Sequence, residues 1–391
     1  MIPFNEAYKI VIDAGYTLGY ERIALNGSLN RILAEDVFSD INMPPFNKSA
    51  MDGFACKIQD IKNTLEIIET IQAGNIPSKA IGKNQCSKIM TGAIIPDGAD
   101  CVIKVENTFV IKDNHIKSTK DFSEKNICYK GEDIKEGDKV ISKFTKIRPQ
   151  HIAVLSSVGA TMPLLVKLPR VGLICTGNEI VEPESKPGIS QIRNSNGNQL
   201  IAQIKDTGAI PDYYGIVEDN KESIIEIINK AVSENDVIIL TGGVSMGDYD
   251  FVPEVLTKIG FDILFDSIAV QPGKPTKFAV LDNKLCFGLP GNPVSCYIQF
   301  EFLVKPLLKK MMGEIFNSSL FPFKMGVDFS RKNIEREAFI PVKIINADTV
   351  IPLNYHGSAH INSFVDIFGL VSLGIGKSKI NKGEIVNVRQ V

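Results

Sequence analysis

Apolar residues recur at Phe4, Ala7, Ile10, Val11 and Ala14, a spacing that predicts an amphipathic helix closed by Gly15. From Thr64 onward the period shortens. The stretches 65–71, 86–90, 100–106 and 109–117 read as strands, the last folding back at Asp113-Asn114 as a hairpin. Residues 149–158 predict a short helix with a proline in its first turn. From Arg170 strands and helices alternate: strand 170–175, helix 198–204, strand 210–217, helix 220–232, buried strand 237–240, a helix running to Ile259 and strand 263–270. Two apolar stretches follow at 278–281 and 285–288, then a closing helix with Asn292 at its N-cap and Pro293 at its first position. Asp219 with Glu222 three residues on reads as a capping box for helix 220–232. This alternation predicts an α/β domain, a parallel sheet covered on both faces. After Phe316 the helical pattern fails. Short strand candidates at 323–329, 338–345, 349–353, 369–373 and 385–389 predict a small all-β domain.

The pattern centres on 236–251, where a β-branched run enters a glycine-rich loop. Gly242, Gly243 and Gly247 allow positive φ or a close approach to a ligand, and Asp250 stands at the expected N-cap of the next helix. Such a turn can cradle phosphate or another oxyanion, or can be a tight turn that binds nothing. It matches neither a dinucleotide fingerprint nor a P-loop. Glu179, Asp219 and Asp250 each follow the carboxyl end of a strand, the edge on which ligands of open α/β sheets bind. Together they would suit a hard cation such as Mg2+. Capping would equally explain Asp219 and Asp250, at about 1 kcal/mol each. A proline-bounded loop, 42–55, presents Asn47, Lys48, Ser49 and Asp52 as a binding edge or, with Asp52 in an Asx-turn, as a solvated turn; Glu132 and Asp133 read as surface turn acids.

Composition narrows the classes further. The chain has 391 residues, 44% hydrophobic and 23% charged, enough to bury more than one core. A net charge of −2 and a pI near 6.2 provide no field for nucleic acid or an anionic membrane, so neither partner is expected. The first 20 residues carry Glu6, Lys9 and Asp13 and fit neither a signal peptide nor a membrane span, so a cytoplasmic location is expected. Seven scattered cysteines, without C-x-x-C spacing, read as reduced thiols.

Six motifs in register carry a resemblance over essentially the whole chain. They are Pro44-Pro-Phe-Asn-Lys-Ser-Ala-Met-Asp-Gly-Phe-Ala55, Met90-Thr-Gly-Ala-Ile-Ile-Pro96, Gly131-Glu-Asp133, Thr241-Gly-Gly-Val-Ser-Met-Gly-Asp-Tyr-Asp250, Gln271-Pro-Gly-Lys-Pro275 and Gly288-Leu-Pro-Gly-Asn-Pro-Val-Ser295. The chain resembles the molybdopterin molybdenumtransferases, the MoeA family, to which the gephyrin E domain is related. The resemblance implies an elongated homodimer of four-domain subunits. These comprise a discontinuous N-terminal domain (1–40 and 138–168), a β-rich insertion (41–137), a doubly wound molybdopterin-binding α/β domain (169–316) and a C-terminal β-barrel (317–391). It implies insertion of molybdate into adenylylated molybdopterin, with Mg2+-dependent release of AMP. The family's catalytic residues fall on Asp52, Thr91, Asp133 and Glu179, and its metal ligands on Asp219 and Asp250. Substrate binding falls on Gly242, Gly243, Ser245, Gly247, Lys274, Pro275, Pro290, Gly291, Asn292, Pro293 and Ser358. Asp52, Thr91 and Asp133 are expected to complete the site from the other subunit. Molybdopterin adenylyltransferase and molybdoenzymes are the implied protein partners. Gln271 stands where many relatives carry Lys, and Pro341 where relatives carry Arg, with Arg336 or Lys343 as candidate replacements. A peptide-binding scaffold of the gephyrin type and an adenylyltransferase are the alternatives; the first lacks support from any linker or second α/β domain, and the Asp52 loop speaks against the second.

Overall fold

The computed structural model describes residues 1–243, 251–316, 319–354 and 357–391, in two compact units. One unit comprises Met1–Arg22, Asn30–Ile32 and Leu164–Val391; the other comprises Ile23–Leu29 and Leu33–Pro163.

In the larger unit the sheet of six strands runs Ile210–Val217, Arg170–Thr176, Val237–Thr241, Lys284–Leu289, Lys277–Leu281, Asp262–Phe265. The first four strands are mutually parallel. Lys277–Leu281 alone runs against the other five, which corrects the expected all-parallel sheet: it pairs antiparallel with Asp262–Phe265 and forms a hairpin with Lys284–Leu289 closed by Asp282-Asn283. Alternation sorts the buried strands onto two faces. Val171, Leu173, Val237, Ile239, Leu285 and Phe287 join Leu200 and Ile204 of helix Ser195–Thr207 and Ala7 and Val11 of helix Phe4–Ala14 in one core. Ile174, Ile238, Leu240 and Cys286 face the other way, onto Ile224 and Ile228 of helix Lys221–Glu234 and Val255 and Leu256 of helix Val252–Ile259.

Three helix starts differ from expectation. Helix Ser195–Thr207 begins before Asn198, because Asn194 caps it by accepting from the Gly197 amide at 2.9 Å. Helix Lys221–Glu234 is capped by Asn220, whose Oδ1 accepts from the Ser223 amide at 2.8 Å, so the expected Asp219 capping box is not formed. Two adjacent residues could each cap, and the one in extended conformation at the first turn does so. Helix Val252–Ile259 has Phe251 in its cap position, with Asp250 outside the described residues.

Strand 263–270 is also broken. Asp262–Phe265 stays in the α/β sheet, whereas Val270–Gln271 pairs in parallel with Glu337 and Ala338 of another sheet, and the Glu337 amide donates to the Ala269 carbonyl at 2.8 Å. That second sheet closes on itself: Leu320–Met325, Thr349–Pro352, Glu337–Asn346, Gly369–Leu373 and Ile385–Gln390 form a five-stranded barrel around Met325, Ile340, Val342, Val350 and Val388. Closure leaves the barrel strands without a free edge.

In the smaller unit the strand order is Cys101–Lys104, Gly53–Cys56, Gln85–Ile89, Thr64–Ile71, His115–Ser118, Thr108–Lys112, with the hairpin at Asp113-Asn114 as expected. Gly53–Cys56 is buried throughout, and a Cβ on Gly53 would lie 2.0 Å from the Ile103 carbonyl oxygen, so only glycine admits the neighbouring strand. All seven cysteines are free thiols, as expected. Among the described residues no helix is long and apolar enough to cross a membrane.

Replacing Asn220 by Ala should cost about 1 kcal/mol through loss of the cap, read as a lower denaturant midpoint; Asn220→Asp should keep most of it.

Candidate active site

The sheet's chain order reverses between Arg170–Thr176 and Val237–Thr241, since the strand that follows the first lies on its other side. At such a switch point the loops leaving adjacent strands part in opposite directions and open a crevice at the carboxyl edge. Cys175, Thr241 and Leu289 stand level in the register, so the three strand ends form a common floor. Above it lies a cleft of about 630 Å3 bordered by Thr176, Glu179, Ile180, Ile192, Asn196, Gly242, Gly243, Pro290 and Gly291, among others. Gly242 takes φ +91°, and a Cβ there would meet the Thr176 carbonyl oxygen at 2.0 Å. The backbone can follow this path only without a side chain.

Asn196 locks the walls together. Its Nδ2 donates to Thr241 Oγ1 at 3.0 Å and to the Gly291 carbonyl at 2.8 Å, tying the first turn of helix Ser195–Thr207 to two strand-end loops. Beside it Asn194 donates to the Tyr213 hydroxyl at 2.8 Å, which donates to Glu182 at 2.6 Å. Burial and the Glu182 carboxylate hold the Tyr213 phenol far above its ordinary range. Burial likewise pushes the Cys175 thiol on the cleft floor up to about 11, so it is a neutral wall group and no nucleophile near neutral pH.

A second cavity of about 330 Å3 shares Pro275, Pro290 and Asn292 with the cleft. Gln271, Lys274, Ser295, Arg336 and Ser358 border it as well. The pairing of Val270–Gln271 with Glu337–Ala338 is what brings Arg336 beside the Gln271–Pro275 turn. Asn292 occupies the N-cap position of helix Pro293–Gln299 as expected, yet its side chain does not cap the helix: Nδ2 donates to Ser358 Oγ at 2.8 Å, while the Val294 amide donates to the Ser358 carbonyl at 3.0 Å. Lys343 stands opposite Ile351 in the barrel and does not border this cavity, and the buried Pro341 stands opposite Leu370.

Of the expected site residues, Glu179, Gly242, Gly243, Pro275, Pro290, Gly291, Asn292 and Pro293 border the cleft, and Lys274 and Ser358 the smaller cavity. Asp219 follows strand Ile210–Val217; its amide donates to Asn178 Oδ1 at 3.4 Å, which draws it toward the Glu179 loop. Ser245, Gly247 and Asp250 lie outside the described residues. Thr176 and Asn196 were not singled out by the sequence; their only signal was polar residues at a strand end and a helix start.

In the smaller unit Asp52 and Thr91, 39 residues apart, are in direct contact. Asp52 Oδ1 accepts from the Thr91 amide at 2.6 Å and from its hydroxyl at 2.8 Å. The Thr91 amide, then its hydroxyl, hold the Asp52 carboxyl below its ordinary range, which makes the group an ionised acceptor and a poor acid near neutral pH. The turn bearing the exposed Asp133 is laced to the Asp52 loop: the Asp133 amide donates to the Met43 carbonyl at 3.1 Å and the Lys130 amide to Asn47 Oδ1 at 2.9 Å.

Two family models match the chain, "MoeA N-terminal region (domain I and II)" over residues 2–159 and "Probable molybdopterin binding domain" over residues 172–310. A molybdopterin molybdenumtransferase of Staphylococcus epidermidis is 37% identical over 398 residues, 99% of this chain and 95% of that protein. The Staphylococcus aureus protein of the same name is 34% identical over 400 residues, again 99% and 95%. Among solved structures, a molybdopterin biosynthesis MoeA protein from Pyrococcus horikoshii superposes with a TM-score of 0.87 at 31% identity, covering 100% of this chain and 99% of its own. A second from that organism gives 0.83 at 26% identity, with both chains fully covered.

Thr91→Val removes one of the two donors to Asp52. The carboxyl pKa, followed by carbon NMR against pH, should rise toward its ordinary value without reaching it, because the amide bond remains.

Proposed function

The chain belongs to the molybdopterin molybdenumtransferase (MoeA) family, and we propose that it inserts molybdate into adenylylated molybdopterin as a homodimer, with Mg2+-dependent release of AMP. The observation that carries this reading is the pair of adjoining cavities at the switch point. The larger has the span and mixed lining suited to a heterocycle with phosphates. The smaller faces Lys274 and Arg336 across polar Ser295 and Ser358. Two cations beside hydroxyl donors suit a small tetrahedral dianion. Arg336 thereby supplies a cation that Gln271 and Pro341 do not. Because Pro275, Pro290 and Asn292 border both cavities, the oxyanion would sit next to the end of the bound pterin that receives the metal.

Mg2+ binds with one or two carboxylates and substrate phosphates, and would neutralise the charge of the phosphoanhydride when bound. Asp219 fits as one ligand: Asn220 takes the capping role, leaving the aspartate at the ligand-binding edge. Asp250, outside the described residues, would be the second. Asp52, held ionised by Thr91, suits acceptance of a proton as oxo groups leave. Asp52, Thr91 and Asp133 are proposed to serve the cleft of the partner subunit. The reaction is proposed to take place in the cytoplasm, with molybdopterin adenylyltransferase supplying the substrate and molybdoenzymes receiving the product.

AMP release from adenylylated molybdopterin should require both Mg2+ and molybdate; no release with both present, or undiminished release when either is left out, would reject the reading. Lys274→Ala and Arg336→Ala should each raise the molybdate concentration for half-maximal release by roughly tenfold, equivalent to ~1.4 kcal/mol of lost anion binding, and Gln271→Lys should lower it. Unchanged half-saturation in both alanine variants would remove these cations from the oxyanion site.

Mixing inactive Asp52→Ala with inactive Asp250→Ala chains should restore part of the activity through mixed dimers. Full activity in a sedimenting monomer would reject the shared site.

A further inference from the structure

Two residues that border the cleft each carry a buried side-chain oxygen without a partner among the described residues. Thr176 is 2% exposed and Asn196 is 8% exposed. Both border the cleft, and among the described residues neither Thr176 Oγ1 nor Asn196 Oδ1 has a hydrogen-bond partner. A buried polar atom left unpaired is destabilising, so a pair of them in one cleft calls for an explanation. The orientation of Asn196 leaves no ambiguity about which atom is spare. Its Nδ2 donates both protons, to Thr241 Oγ1 and to the Gly291 carbonyl, so the unused atom is the oxygen, an acceptor only. Phosphate and molybdate oxygens are also acceptors and cannot meet it. Thr176 Oγ1 is different in kind, because a hydroxyl can donate, and it lies against the Gly242-Gly243 turn, 2.8 Å from where a Cβ on Gly243 would stand.

We propose that Thr176 and Asn196 are substrate contacts: the Thr176 hydroxyl donates to a phosphate oxygen lying over the glycine turn, and Asn196 Oδ1 accepts from an N–H of the substrate's heterocycle. The assignment rests on adenylylated molybdopterin being the substrate. It extends that reading by dividing the cleft into an anion end and an N–H-reading end. A site built to satisfy a substrate N–H rejects analogues that lack it, since the buried acceptor would then be left unpaired.

Thr176→Val is isosteric and removes a hydroxyl that bonds nothing among the described residues, so the free variant should melt at or above the wild-type temperature. Its Kd for adenylylated molybdopterin, measured anaerobically by calorimetry, should rise about tenfold, and Thr176→Ser should restore it. A Kd within twofold of wild type in Thr176→Val, whatever its melting temperature, would overturn the Thr176 contact. Asn196→Ala should melt lower, having lost two donated bonds. If Asn196 is a contact, its folded form should also bind at least fivefold more weakly; lower melting with unchanged Kd would assign Asn196 to the fold alone and overturn its part. Titrating AMP alone separates the two sources of N–H: weakening with AMP puts Asn196 at the adenine, and weakening only with the full substrate puts it at the pterin. Failure of wild-type protein to bind adenylylated molybdopterin would count against the parent reading and is a separate result.

Discussion

The site depends on one steric constraint, the passage of Gly242 over the carbonyl of Thr176. With 2.0 Å available to a Cβ, the chain leaving Val237–Thr241 can cross the end of Arg170–Thr176 only as bare backbone. That crossing keeps the two strand ends level where the sheet reverses direction. Asn196 then bonds to the strand end it can reach, and Gly291 is drawn in by the same amide. Any side chain at 242 would lift the loop, part these bonds and fill the cleft.

Charge is handled locally in this molecule. With a net charge of −2, the chain offers no general attraction for an oxyanion. At the proposed oxyanion site, selectivity would come from a few groups held close together: two cations and two serines in a cavity of about 330 Å3. The same economy holds in the smaller unit, where a single threonine donates twice to Asp52 and settles its protonation.

Much of this was legible in the residues. The helix Phe4–Ala14, the strand Ile210–Val217 and the hairpin at Asp113-Asn114 follow from apolar period and turn chemistry alone. Other features depend on competition or on distance. Asp219 and Asn220 are equally fit to cap, and only the path of the chain chooses between them. The start of helix Ser195–Thr207 holds no apolar residue before Leu200, so periodicity could not find it. The antiparallel hairpin 277–289 has the same apolar composition as a parallel pair. Arg336, Thr176 and Asn196 gain meaning from neighbours 45 to 95 residues away, or from a strand that changes sheets, and no local pattern records that.

The strand that changes sheets has one more effect. Val270–Gln271 is fastened to the barrel at Glu337–Ala338, and the chain continues directly into Lys274, while Arg336 immediately precedes the barrel's side of the same pairing. The two cations therefore ride on opposite partners of one short ladder, and their spacing is the spacing of barrel and sheet. Anything that loosens the barrel from the α/β sheet separates the charges. By reciprocity, an oxyanion held between them as proposed would be a clasp: its binding energy would add to the seam, and the barrel would come away less readily with the clasp closed.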